Sequence, residues 1–157
     1  VDDHLLCHHK NWQSDHYEQQ TGAVAEFLGD TIYTLSSEPN KLIAIDTEEG
    51  IDRIIDILTP LVGNQVTLVR SQRDFLEITA PNVSKGRALA QLALDNNLSL
   101  ENIVSFGNAE NDISMLSETG YSVAVSNATE HVKSVANEVC GHHNEDGVAH
   151  WIEKNLL

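Results

Sequence analysis

Six consecutive residues, Gly107-Asn108-Ala109-Glu110-Asn111-Asp112, follow a short apolar run and put two carboxylates and two carboxamides into one loop. Hard oxygen donors of this kind suit Mg²⁺, which takes one or two carboxylates and completes its shell with water and a substrate phosphate. Upstream stands Ser84-Lys85. Serine is a preferred helix cap, so Lys85 is expected to open a helix. There its ammonium and the free N–H groups of the first turn would together make a place for an anion. The same residue types also serve as solvated caps and as an exposed first-turn lysine. Residue type alone leaves both readings open.

The surrounding elements give the loop its position. Downstream of Pro81 the pattern predicts a helix over 84–97, a buried strand over 103–106, a helix over 112–118 and a strand over 121–125. A helix over 129–137 and a terminal helix burying Val148, Trp151, Ile152 and Leu156 complete this part. Helix and strand in alternation make half of a doubly wound α/β unit with a parallel sheet. Ligands of such sheets bind beyond the carboxyl ends of the strands, where the Gly107–Asp112 loop lies. Gly107 is suited to a tight turn there.

Before Pro81 the pattern is mixed. Strands are predicted at 5–8, 31–35, 42–45, 66–70 and 75–79, with helices at 13–20, 21–28 and 50–61. Ile51, Ile54, Ile55 and Leu58 form a stripe at helical spacing that should face a sheet. The expected organisation is an α+β module over 1–80 followed by an α/β part over 81–157.

Composition narrows the function classes. A net charge of −15 over 157 residues disfavours nucleic acid and anionic membrane as partners, since binding there depends on Lys and Arg. No apolar run is long enough to span a bilayer, so a cytoplasmic location is expected. Cys7 and Cys140 give no disulfide framework, and the histidines near them match no standard zinc spacing. Trp12 and Trp151 read as packing residues. An apolar share of 41% suffices for a folded core.

Several stretches, in order, carry a resemblance: Leu76-Glu77-Ile78, Val83-Ser84-Lys85-Gly86, the run from Phe106-Gly107-Asn108 through Asn111-Asp112-Ile113-Ser114-Met115-Leu116, Val123-Ala124-Val125 with Asn127-Ala128, and Glu145-Asp146-Gly147-Val148-Ala149. Together they resemble the C-terminal half of the Cof-type haloacid dehalogenase-like (HAD) phosphatases. Residues 1–75 are similar, more loosely, to the later part of that family's cap. The resemblance implies an α/β fold: the C-terminal half of a HAD Rossmann-like parallel sheet plus part of an α+β, C2-type cap. It implies a Mg²⁺-dependent phosphatase of small phosphorylated metabolites such as sugar phosphates. Lys85 matches the lysine that neutralises the phosphoryl group, and Asn111 a carboxamide that orders the phosphate site. Asn108 stands where the family has a metal-binding aspartate. Asp112 matches the second acid, which supports the lysine and the metal's water shell. Asn127 falls in a loop bordering the same site.

Two departures from the family pattern shape the expectation. Asn108 is neutral, which weakens Mg²⁺ binding. The aspartate-rich motif that supplies the family's nucleophile is not found. Val1-Asp2-Asp3-His4 lacks a preceding apolar run and a following glycine-threonine turn, and Asp46-Thr47 follows an apolar run but continues as Glu48-Glu49-Gly50 inside the cap-like region. The expectation is therefore an N-terminally truncated HAD chain, inactive alone, that self-associates to cover the sheet edge beside residues 103–106. The alternative is a non-catalytic, self-associating remnant. The phosphorylation domain of a cation-pumping ATPase shares a similar loop but not the Asp146-Gly147-Val148 ending.

Overall fold

The computed structural model describes residues 4–157. They divide into two compact units. Residues up to Leu68, with Arg73–Ala80, form the first, and Val69–Gln72 with Pro81–Leu157 form the second.

In the first unit, β1 (Leu5–Cys7) pairs in parallel with β2 (Ala25–Phe27), and α1 (Trp12–Thr21) makes the crossover. Asn11 caps α1 by accepting from the Ser14 amide at 2.9 Å, and Gly22, at φ 73°, ends it in the left-handed conformation. That stop frees Ala25–Phe27 to pair with β1, so the helix expected over 21–28 does not form. The strand expected over 31–35 is instead a 3-10 helix, Gly29–Thr34, in which the Thr34 hydroxyl donates to the Thr31 carbonyl at 3.0 Å. Side chains of this type offer the backbone a local alternative to a sheet ladder. Trp12, expected to pack, is 55% exposed.

The first unit also contains β3 (Leu42–Ile45) and β5 (Phe75–Thr79), neighbours in one sheet; β4 (Thr67–Gln72) runs from this unit into the second. β3 and β5 are antiparallel, with Leu42 opposite Ile78 and Ile45 opposite Phe75. Thr47 caps α2 (Glu48–Val62) by accepting from the Gly50 amide at 3.1 Å. The Asp46-Thr47 pair is thus a helix entry: the Asp46 carboxylate accepts from the Thr47 amide at 2.7 Å. The helical stripe faces inward as its spacing predicts, with Ile51 fully buried and Ile54, Ile55 and Leu58 half-buried. Ile51, Phe75 and Leu76 form the core of this unit.

The second unit is built on three parallel strands in the order β6 (Val104–Gly107), β7 (Tyr121–Val125), β8 (Glu138–Cys140). β7 lies in the middle, and Ser122, Val123, Ala124 and Val125 are all buried. Leu116, Val132 and Trp151 close over it from α4 (Ile113–Glu118), α5 (Glu130–Val135) and α6 (Gly147–Asn155). The helix expected over 129–137 stops at Val135. Asn137 accepts from both the amide and the hydroxyl of Ser122, at 2.8 and 2.9 Å, and this tie starts β8. Leu156, expected inside, is 55% exposed. α3 (Lys85–Asp95) buries Gly86 and Ala93, while Leu92 stands outside. Among the described residues β6 pairs with β7 alone, so its outer edge carries unpaired main chain.

Candidate active site

Lys85 and the loop after β6 meet at the carboxyl end of the parallel sheet. Ser84 caps α3 by accepting from the Arg87 amide at 3.2 Å, which sets Lys85 as the first helical residue. The next residue, Gly86, permits the approach of α3 to α4. A Cβ at this position would lie 2.6 Å from the Ser114 carbonyl oxygen. The Gly86 amide donates to the Ser114 hydroxyl at 3.1 Å. The start of α3 is therefore tied to α4, and the lysine is aimed from a fixed base.

Gly107 does the corresponding work on β6. A Cβ there would lie 2.7 Å from Asp112 Cβ and 3.0 Å from a Leu116 methyl. The missing side chain lets the Asp112 side chain fold back under the end of the strand. Asp112 is 3% exposed, and both of its oxygens are engaged. Oδ2 accepts from the Asn108 amide at 2.8 Å and the Ala109 amide at 3.1 Å, closing the loop on itself. Oδ1 accepts from Lys85 Nζ. Burial alone would raise the Asp112 pKa. The Lys85 hydrogen bond, the two amides and the lysine charge outweigh it and hold the carboxyl below the ordinary carboxylate range. Asp112 is thus a fixed anion near neutral pH, and Lys85, half-exposed, keeps N–H groups free to bind an incoming anion.

Of the remaining residues singled out from the sequence, Asn108 is exposed at the rim, held through its backbone by Asp112. Asn111 Oδ1 is a buried acceptor without a hydrogen-bond partner. An orphaned buried acceptor is costly unless a donor or cation reaches it, so it marks where the site is incomplete in protein atoms. Asn127 accepts from the His143 amide at 3.2 Å, a latch between loops. Sequence reasoning missed the partners of Glu110, one of the loop's two carboxylates. Its carboxylate accepts from the Thr129 hydroxyl at 3.1 Å and lies 2.8 Å from His131 Nδ1, tying the loop to the cap of α5. Nothing in the spacing of those residues signals that tie, which depends on β6 and β7 being neighbours.

The donors present suit Mg²⁺ only in part. Asp112 has both oxygens committed, Asn108 offers one neutral oxygen, and no group of three or more His, Cys, Asp or Glu is gathered for a metal among the described residues.

The pattern of the haloacid dehalogenase-like hydrolases matches residues 1–152. The chain belongs to that family. Phosphatase YwpJ of Bacillus subtilis is 42% identical over 95 residues, 60% of this chain and 33% of that protein. The chloroplastic endoribonuclease YBEY of Arabidopsis thaliana is 32% identical over 140 residues, 78% of this chain and 24% of that protein. The crystal structure of TM0651 from Thermotoga maritima superposes on all of this chain with a TM-score of 0.82 and 32% identity, over 59% of its own length. The HAD α/β fold and the Cof-type resemblance are therefore secured. The chain spans a quarter to about half of the curated relatives it matches. No described helix is long and apolar enough to cross a membrane.

Proposed function

We propose that this chain supplies the phosphoryl-holding half of a HAD phosphatase site for small phosphorylated metabolites, sugar phosphates being the expected class. Lys85 and Asp112 act together in this reading. The lysine binds the phosphoryl oxygens, where charge accumulates during transfer. Asp112 orients Lys85 and the Asn108 backbone. Asn111 Oδ1 receives a donor from the completed site. Asp112 is not the nucleophile, because its oxygens are already bonded to Lys85, Asn108 and Ala109. The covalent step requires a free carboxylate, and in this proposal that carboxylate comes from outside the described residues, along the open edge of β6. Mg²⁺ would neutralise phosphoryl charge when bound, taken weakly at Asn108, with Asp112 supporting its water shell. In the absence of the completing segment, the β6 edge drives self-association of the chain.

The observation that carries the proposal is the Lys85–Asp112 contact, which joins the start of α3 to a loop closed by two amides. Titration with inorganic phosphate tests it. Saturable binding abolished by Lys85→Ala is expected, together with no Mg²⁺-dependent hydrolysis of an aryl phosphate above that control. Absence of lysine-dependent phosphate binding refutes the holding role. Turnover that disappears in the variant refutes the assignment of the nucleophile to another segment.

A further inference from the structure

The loop after β6 is held on two sides. On one side Asp112 closes it through the Asn108 and Ala109 amides and reaches Lys85. On the other, Glu110 bonds the start of α5 with both carboxylate oxygens. Oε1 accepts from the Thr129 hydroxyl at 3.1 Å, and Oε2 lies 2.8 Å from His131 Nδ1. The same Thr129 hydroxyl accepts from the Val132 amide at 3.3 Å as the cap of α5. Val132 is fully buried in the core of this unit, so α5 is a firm anchor. Glu110, Asn111 and Asp112 form one 3-10 turn, in which the Asp112 amide donates to the Ala109 carbonyl at 2.9 Å. The Glu110 tie therefore fixes the first residue of the turn that presents Asn111 and Asp112.

We propose that Glu110 and Thr129 are positioning residues for phosphoryl binding. Their bond holds the 3-10 turn in the shape that keeps Asn111 Oδ1 buried and Asp112 beside Lys85. Neither residue touches the phosphoryl group; both act through Asn111 and Asp112. A turn fixed before the anion arrives loses no further freedom on binding. The charge of Glu110 works the other way, since a carboxylate in a loop that receives an anion repels it. The two effects of this side chain thus have opposite signs, and a measurement can separate them. The inference rests on the reading of Lys85 as the phosphoryl ligand.

Calorimetry with inorganic phosphate tests it on the full chain, with Lys85→Ala as the reference. Glu110→Ala removes a negative charge, so charge alone predicts tighter binding and lost positioning predicts weaker binding. Affinity is expected to fall about fivefold or more, the size of one lost hydrogen bond. Thr129→Gly removes the hydroxyl but remains tolerable at a helix cap, and should weaken binding to a similar extent. Thr129→Ser keeps the hydroxyl and should bind within about twofold of the parent. Glu110→Gln keeps an acceptor and drops the charge, so it should bind at least as tightly as the parent. The double variant Glu110→Ala/Thr129→Gly should bind no more weakly than Glu110→Ala, because both changes remove the same bond. Unchanged or tighter binding by Glu110→Ala overturns the proposal, as does additive weakening in the double variant. Equal weakening by Thr129→Ser and Thr129→Gly also overturns it, and that pair decides alone where Glu110→Ala does not fold. A parent chain without Lys85-dependent binding overturns the phosphate reading and this inference together. Lys85-dependent binding that Glu110→Ala leaves intact overturns this inference only.

Discussion

Replacing Asp112 by alanine asks how much of the loop is held by one carboxylate. The substitution removes the acceptor of two backbone amides, at 2.8 and 3.1 Å, and the partner of Lys85. The lysine is 51% exposed, so water replaces its lost contact, and screening keeps that part of the loss below about 1 kcal/mol. The amides cost more. A hydrogen bond to a charged group contributes about 1.5–3 kcal/mol, and water entering the loop recovers part of it. The expected net loss is about 2–4 kcal/mol, with Asp112→Asn in between because a carboxamide oxygen can still accept. Trp151 reports on the second unit, since it is buried against Phe106 and Tyr121 and donates to Glu138 at 3.0 Å. Urea denaturation followed by its fluorescence, in a Trp12→Phe background, should show the midpoint falling by about 1–2 M for an m-value near 2 kcal/mol/M. The pH dependence has a definite sign. The folded pKa of Asp112 is lowered, so its contribution is complete above the ordinary value of about 3.9 and is lost as pH falls through the lower folded value. The gap between the parent and the alanine variant should therefore be constant from pH 7 to about pH 5 and close in stronger acid. A loss below about 0.5 kcal/mol at pH 7, or a gap that widens in acid, would refute the assignment of loop closure to this carboxylate.

Gly107→Ala should destabilise the same unit by about 1–3 kcal/mol by overpacking, because the new methyl meets Asp112 Cβ at 2.7 Å; the same fluorescence titration measures it, and a neutral result would mean that the loop can shift to make room. Cys140 is 9% exposed and burial raises its thiol pKa, so iodoacetamide at pH 7.5 should label it at least tenfold more slowly than a free thiol, with the difference abolished in urea. Equal labelling rates in the folded and unfolded chain would contradict the buried position of Cys140.

Elements with a strong local signature were legible without the tertiary fold. The stripe Ile51, Ile54, Ile55, Leu58 specified a helix and its inward face, and the run Val123-Ala124-Val125 marked a strand over 121–125. The strands Leu42–Ile45 and Phe75–Thr79 match their predicted limits. The segment from Thr21 to Leu35 differs from its expected elements because its turns are made by Gly22, Gly29 and local hydroxyl bonds, which compete with periodicity. β8 was hidden for a different reason. Glu138-Val139-Cys140 is too short to carry a pattern and becomes a strand only because β7 lies beside it and Asn137 bonds Ser122.

The sequence by itself determined the family and the α/β class, and it marked Lys85, Asn108, Asn111 and Asp112 as candidates, because those depend on residue type and order along the chain. Only the tertiary structure decided what each of them does to the others. Lys85 and Asp112 are joined because Gly86 lets α3 approach α4 and Gly107 lets the carboxylate turn under β6. Both glycines act through the space they leave, and space between elements remote in sequence does not exist until the chain has folded. The orphaned oxygen of Asn111 and the Glu110 tie to Thr129 are of the same kind. Each is a relation between distant segments, set by packing rather than by any local preference of the residues concerned.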